Sequence, residues 1–363
     1  MNKCFITKLP SSVDNDNLPV LGQLRINWLK QSDLTDNDAR AIGLATNDSI
    51  TVKVSGAHLT DSTLASNLGN TKTITSADGL VWLYVSNDAD ATLTIDNKYA
   101  LTQLNFVKPG KDNLKRSVYL DIEEIKYCTA LTYLNLNKTN VSGDISVVSQ
   151  LTALTYLGLS YTNVSGDISA VSNLTKLSSL ILTNTQVSGD ISAVSNLTNL
   201  TDLILSNTQV SGDISAVSKL VNLVNLRLSG TKISGMVDNL AGLTKINYMD
   251  QLYGMSLTGD MSKIPANVRA ISQEGRMINT NFTWTAKGRQ NATLLAMMGP
   301  VPFDTVSMDN MLIDQATCTF KGSDALPWTK IVSVSGIRTS ASDAAVAAIQ
   351  NMGVTIGGVT KEG

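Results

Sequence analysis

LTALTYLGLSYTNVSGDISAVSN (Leu151–Asn173), LTKLSSLILTNTQVSGDISAVSN (Leu174–Asn196) and LTNLTDLILSNTQVSGDISAVSK (Leu197–Lys219) follow one another without a break. An Asp column fixes the period: Asp121, Asp144, Asp167, Asp190 and Asp213 stand 23 residues apart. A leucine frame runs in step, with Leu131, Leu134 and Leu136 returning as Leu154, Leu157 and Leu159 and onward to Leu223, Leu226 and Leu228. A fixed period in the twenties is the mark of a solenoid, whose coils cannot bury an apolar face alone and so stack into one continuous core.

Within each unit the L-x-L triplet puts two leucines on one side of a strand and the residue between them on the other. Stacked triplets form a parallel sheet with about 4.8 Å per coil. Thr139, Thr162, Thr185, Thr208 and Thr231 fall where the chain leaves that strand, and their hydroxyls can bond nearby backbone groups to close the turn. Gly143, Gly166, Gly189, Gly212 and Gly235 recur next, which suggests positive φ or a close approach. Ile, Val and Leu then repeat at a spacing of three, as in Ile168, Val171 and Leu174, and fit a short 3₁₀ turn on the outer side. The pattern L-x-x-L-x-L-x-x-T-x-V resembles the leucine-rich repeat family, with Thr where the family usually has Asn. The resemblance implies an α/β solenoid and protein contact through the concave strand face.

Outward from the repeats, the chain divides into four expected parts. Residues 1–45 are a leader that either caps the first coil or anchors the chain to a larger particle; an anchor would be removable with the repeats still folded. LPVLGQLRINWL (Leu18–Leu29) is strand-like, and SDLTDNDARAIGLA (Ser32–Ala45) predicts a short helix capped by Ser32 or Thr35. Residues 46–100 are β-rich, with strands over Ser49–Gly56, Thr71–Ser76, Leu80–Ser86 and Ala91–Asp96. Residues 101–265 are the solenoid, because ALTQLNF (Ala100–Phe106) echoes ALTYLNL (Ala130–Leu136) across a basic insertion at 108–116. Residues 266–363 form an α/β cap continuing the sheet. There NFTWTAKG, ATCTFKG and TKIVSVSG predict strands. Ser340–Gly353 predicts a helix with a Ser340/Asp343 capping box and a stripe of Val346, Ile349 and Met352.

Composition limits the function. The net charge is −2, which offers nothing to attract phosphate backbones, so nucleic acid is not an expected partner. Cys4, Cys128 and Cys318 are too scattered for a disulfide framework or a metal set and are expected as buried thiols. No apolar run reaches a membrane span, and the start of the chain lacks the long apolar segment of a signal peptide. The N-x-S/T matches at Asn140, Asn163, Asn173 and Asn196 lie in the repeat frame and are read as stacking residues.

No phosphate loop, dinucleotide glycine pattern or nucleophile elbow is present. His58 is the single histidine and stands in a turn context without support for a triad. Five stacked carboxylates would repel unless compensated. A line of calcium sites would compensate them, but one carboxylate per coil is thin for calcium. The expectation is therefore that Asp121, Asp144, Asp167, Asp190 and Asp213 cap their own turns, with no metal and no cofactor. On the strand face most residues are small and polar. Tyr133, Tyr156, Ile181, Ile204 and Arg227 are the types that anchor interfaces, while a plain solvated face is the alternative reading of the same columns.

The expected function is that of a non-enzymatic structural or binding protein. TKLPSSVDNDNLPVLGQLRI (Thr7–Ile26), followed by Thr/Asn-rich repeats, resembles fibre or decoration proteins of phages infecting gut Bacteroidetes. That resemblance implies a homo-oligomer in a virion assembled in the host cytoplasm, meeting a host-surface receptor. The alternative is a bacterial leucine-rich repeat adhesin or effector, cytoplasmic or at the cell surface by a non-classical route. A repeat-containing hydrolase is the minor third reading.

Overall fold

The computed structural model describes residues 23–28, 41–55, 57, 59–60, 67–85, 90–106, 118–246, 248–249, 255–265, 270–272, 282–283, 296–298, 305–316, 331–351 and 355–362. The repeats form a stack of coils in which Leu154, Leu157, Leu159, Val164, Ile168 and Val171 are fully buried and their counterparts in the neighbouring coils are buried. Each such side chain contributes about 1.5–3 kcal/mol by leaving water.

The leucine triplets pair in parallel: Leu101–Asn105, Tyr133–Asn135, Tyr156–Gly158, Ser179–Ile181, Asp202–Ile204, Asn225–Arg227 and Tyr248–Met249 lie side by side. Register follows the repeat, Leu157 opposite Leu180 and Leu180 opposite Leu203. Short 3₁₀ turns, such as Ile168–Val171 and Ile191–Val194, close the outer side. This is a leucine-rich-repeat solenoid.

A second parallel sheet, which the repeat pattern did not announce, runs along the flank through Asn163–Asp167, Gln186–Asp190, Gln209–Asp213 and Lys232–Met236. Here Ser165 pairs with Gln186 and Ser188 with Gln209, so successive strands are staggered by two residues relative to the repeat. Its strands contain a glycine at positive φ, a residue that ordinarily argues against a strand interior; that is why V-S-G-D looks like a turn.

At the N-terminal end the leucine sheet continues with reversed polarity. Ala41–Thr46 lies antiparallel to Leu101–Asn105 on one side and to Val81–Val85 on the other. Leu24–Trp28 and Ser49–Ser55 flank Ala91–Asp96 in a third, five-stranded sheet that also reaches Val118–Tyr119. The short helix expected within Ser32–Ala45 does not include AIGLA, which is part of a strand buried at every position; residues 32–40 lie outside the described residues. A strand covered on both faces is a continuous apolar run and loses the alternation that identifies strands. Gly43 belongs to this arrangement, since a Cβ there would stand 3.0 Å from the Trp82 indole.

At the other end Ser256–Asp260 and the turn Met261–Lys263 form the last regular coil. Ile331–Arg338 and Thr355–Lys361 are parallel and flank the helix Asp343–Asn351. The cap of this helical segment falls on Thr339, not Ser340: the Thr339 hydroxyl accepts the Ala341 N–H. Asp343 instead pairs with Arg338 and Lys361. Ala345 and Ile349 are buried and Val346 is partly so; Met352 lies outside the described residues. The helix Thr305–Ala316, with Met308, Met311 and Leu312 buried, was not foreseen, although their spacing of three and four is helical. The insertion at 108–116, His58, Cys4 and Cys318, and most of the strand expected after Ala316, lie outside the described residues. Cys128 is buried, and burial pushes its thiol up to about 12.

Candidate functional site

Hydrogen-bond ladders run the length of the solenoid and account for most of its polar columns. Thr139, Thr162, Thr185, Thr208 and Thr231 are buried, and each hydroxyl donates to the carbonyl three residues back, as Thr208 does to Leu205 at 2.8 Å. Ahead of each strand the hydroxyls of Thr132, Thr155, Ser178 and Thr201 donate to the carbonyl one coil earlier. In the second ladder the hydroxyl adds to a carbonyl that already accepts a backbone N–H, as the Thr132 carbonyl does from Thr155.

The aspartates stand at the outer turns. Asp121, Asp144, Asp167, Asp190 and Asp213 each accept the backbone N–H two residues on. The Ser169 and Ser192 N–H groups, with their hydroxyls, hold Asp167 and Asp190 below the usual carboxylate range; at Asp213 the Ser215 hydroxyl leads. Each carboxylate also covers the glycine of the next coil, where a Cβ on Gly189 would stand 2.6 Å from Asp167 Oδ1. Met236 interrupts the column. Asp238 takes over, its Oδ1 lying against Gly259 and accepting the Asp260 N–H at 2.9 Å. Among the described residues no three or more His, Cys, Asp or Glu side chains gather in one place.

The outward face of the leucine sheet is different, because its side chains alternate with the buried leucines and most are only partly buried. Tyr133, Tyr156, Ser179, Asp202 and Asn225 occupy one column, and Asn135, Gly158, Ile181, Ile204 and Arg227 the next. The five residues singled out from the sequence therefore fall in two adjacent columns, each half-buried against its neighbours. Tyr133 and Tyr156 stack, with ring centroids 4.3 Å apart and planes within 13°. Gly158 makes room for this: a Cβ there would lie 2.9 Å from Tyr156 Cε1 and from Asn137 Nδ2. Asn137 Oδ1 in turn accepts the Ser160 N–H at 2.6 Å.

Sequence reasoning passed over Asp202, since it recurs in no other coil. Its Oδ2 accepts from the Ser179 hydroxyl at 2.9 Å and competes with the Ser178 carbonyl for the single proton of the Thr201 hydroxyl, whose oxygen lies 2.8 Å away, and its Oδ1 accepts from the Asn225 amide. Among the described residues no lysine or arginine pairs with it. A charged residue in an otherwise neutral strand triplet was the signal that could have found it.

The class defined by this fold and face is a leucine-rich-repeat scaffold. No family model and no curated relative matches the sequence. Among solved structures the chain is similar to the plant peptide hormone receptor RGFR1 in complex with RGF2, at 18% identity and TM-score 0.43, covering 69% of this chain and 48% of that one. It is also similar to an internalin from Listeria monocytogenes, at 20% identity and TM-score 0.39, covering 72% and 82%. A plant ice-binding protein matches at 22% identity and TM-score 0.38, covering 51% and 64%. The chain thus spans about half the length of the receptor. The architecture assigned above rests on register and burial, not on these likenesses.

Proposed function

We propose that the protein is a non-enzymatic binding scaffold that presents its concave strand face to a protein partner. The observation that carries this reading is the alignment of Tyr133, Tyr156, Ile181, Ile204 and Arg227 in two adjacent columns of one sheet. Aromatic, isoleucine and arginine side chains held in fixed register are the composition of an interface centre, whereas the ladders above are occupied with holding coils together. The setting we propose is a phage virion, supported by the resemblance of Thr7–Ile26; a bacterial adhesin or effector is the alternative. Mass spectrometry of purified particles separates the two settings.

The face is tested by affinity capture with three baits: the chain itself, Tyr156→Ala with Arg227→Ala, and Ser169→Lys on the outer turn. A partner bound by the first and third, and weakened about tenfold or more on the second, is the expected outcome. Capture indifferent to Tyr156 and Arg227 would sink the assignment.

A further inference from the structure

We propose that the groove between the outer turns of the Asp190 and Asp213 coils binds a small zwitterion, a short peptide with both ends free, its ammonium between the two carboxylates and its carboxylate on Lys219. The inference concerns the outer side of the stack and stands apart from the binding reading of the strand face. It begins with an opening. A cavity of about 460 Å³ lies between these two coils, within the size range of small-ligand sites.

The lining carries polar groups that the fold does not use. Asp190 and Asp213 stand where the two turns begin, and each accepts a backbone N–H from its own turn, with the serine hydroxyl beside it. A carboxylate has about four lone-pair positions, so both keep acceptors free. Stacked coils place the two about 5 Å apart, where like charges repel. The Ser215 hydroxyl and N–H hold the Asp213 carboxyl low, and the Asp190 charge opposes them. An ammonium between the two relieves the repulsion and donates to both. Ser195, Asn196, Ser218 and Lys219 line the same cavity where the turns end. Among the described residues their side chains make no hydrogen bond and no ion pair. Serine hydroxyls both donate and accept, which suits the N–H and C=O groups of a peptide.

The repeat supplies its own reference. The column of Lys219 reads Tyr127, Gln150, Asn173, Asn196, Lys219 and Gly242, so Lys219 is its one cation. One coil further Met236 stands in place of the aspartate. Two aspartates of the ridge and the lysine of that column therefore meet in this groove and in no neighbouring one. Asp213 and Lys219 are six positions apart, which at about 2.0 Å per residue of 3₁₀ turn sets the charged ends roughly 12 Å apart, less where the lysine reaches back. The two ends of an extended tripeptide stand about 10 Å apart.

The test is a titration of the full chain, labelled at the alanine methyls, with triglycine at neutral pH. Ala216 lines the groove, and Ala170 holds the same place in the coil of Asp167. The Ala216 signal is expected to shift and saturate, with a dissociation constant on the order of millimolar, as exposed ion pairs give, while Ala170 stays in place. Acetyl-triglycine lacks the ammonium and triglycine amide lacks the carboxylate; each is expected to bind about fivefold or more weakly. Lys219→Asn copies the coil before it and so keeps the fold, and Asp213→Asn keeps a residue that caps the turn equally well. Both variants are expected to lose about fivefold or more in affinity for triglycine. Absence of a saturable shift at Ala216 overturns the proposal. So do equal binding of either blocked peptide, triglycine binding unchanged in Lys219→Asn, and an Ala170 signal that moves together with that of Ala216.

Discussion

Gly189 shows how narrowly a single position of the coil is specified. Its φ is +99°, which L side chains rarely adopt, and its missing Cβ leaves space that the Asp167 carboxylate occupies from the coil before. Conformation and space are two separate penalties, and a pair of substitutions divides them. Gly189→Ala is expected to cost about 2–4 kcal/mol, by backbone strain and by displacing the carboxylate. Asp167→Ser empties the space but leaves φ unchanged. The double variant should therefore recover part of the loss, leaving about 1–3 kcal/mol of strain. Urea unfolding of the four proteins measures this; full recovery would show that φ is not a constraint, and no recovery that the carboxylate is not. The same logic explains a column that looks irregular in sequence. Lys138, Tyr161, Asn184, Asn207 and Gly230 differ in chemistry, yet all have φ between 55° and 68°. Asn and Gly accept that conformation readily, and the Thr that follows each one fixes it through its buried hydroxyl.

At the scale of elements, what could be read in the sequence depended on whether each element repeats a period. The leucine triplets and outer 3₁₀ turns repeat five times and were legible to the residue. The flank sheet was hidden because its strands run through glycine, and Ala41–Thr46 was hidden because burial on both faces erases alternation. The face residues were legible by type, but Asp202 was not, since its role appears only when Ser179, Thr201 and Asn225 are brought around it. The C-terminal elements are joined by one carboxylate of the same long-range kind. Asp309, in Thr305–Ala316, accepts the Thr339 N–H at 3.0 Å and the Thr339 and Ser342 hydroxyls at 2.6 Å each. Burial pushes this carboxyl up, but the Ser342 and Thr339 hydrogen bonds outweigh it and hold it below the usual range. A carboxyl depressed in the folded chain stabilises fully above its unfolded value of about 3.9, and that contribution is lost as pH falls toward the folded value. Hydrogen exchange over residues 331–351 is expected to accelerate below about pH 4 relative to the central coils. Asp309→Asn should show the faster exchange already at neutral pH, with a smaller change on acidification. Exchange that follows pH identically in both proteins would remove Asp309 from the joint.

At the scale of the molecule, one apolar core runs from Leu24 through the coils to Ile349. A stack of this kind gains stability coil by coil from its neighbours, and its ends are where it is most easily opened. The N-terminal segment is therefore not separable from the repeats. Ala41–Thr46 covers the edge of Leu101–Asn105, and Leu24–Trp28 joins Ala91–Asp96 to Val118–Tyr119. Deleting residues 1–46 uncovers one full edge of the leucine sheet together with Leu104 and Phe106, both fully buried in the intact chain. An uncovered edge of this length recruits other strands. The truncated chain is expected to melt at a temperature lower by several degrees or more and to associate in light scattering. Loss of order should be graded, greatest in the coil of Leu101 and least near Leu226, as exchange along the stack would show. A truncated chain that stayed monomeric and melted with the intact one would mean that the coils close their own end, and that residues 1–46 add nothing to the core they are seen to share.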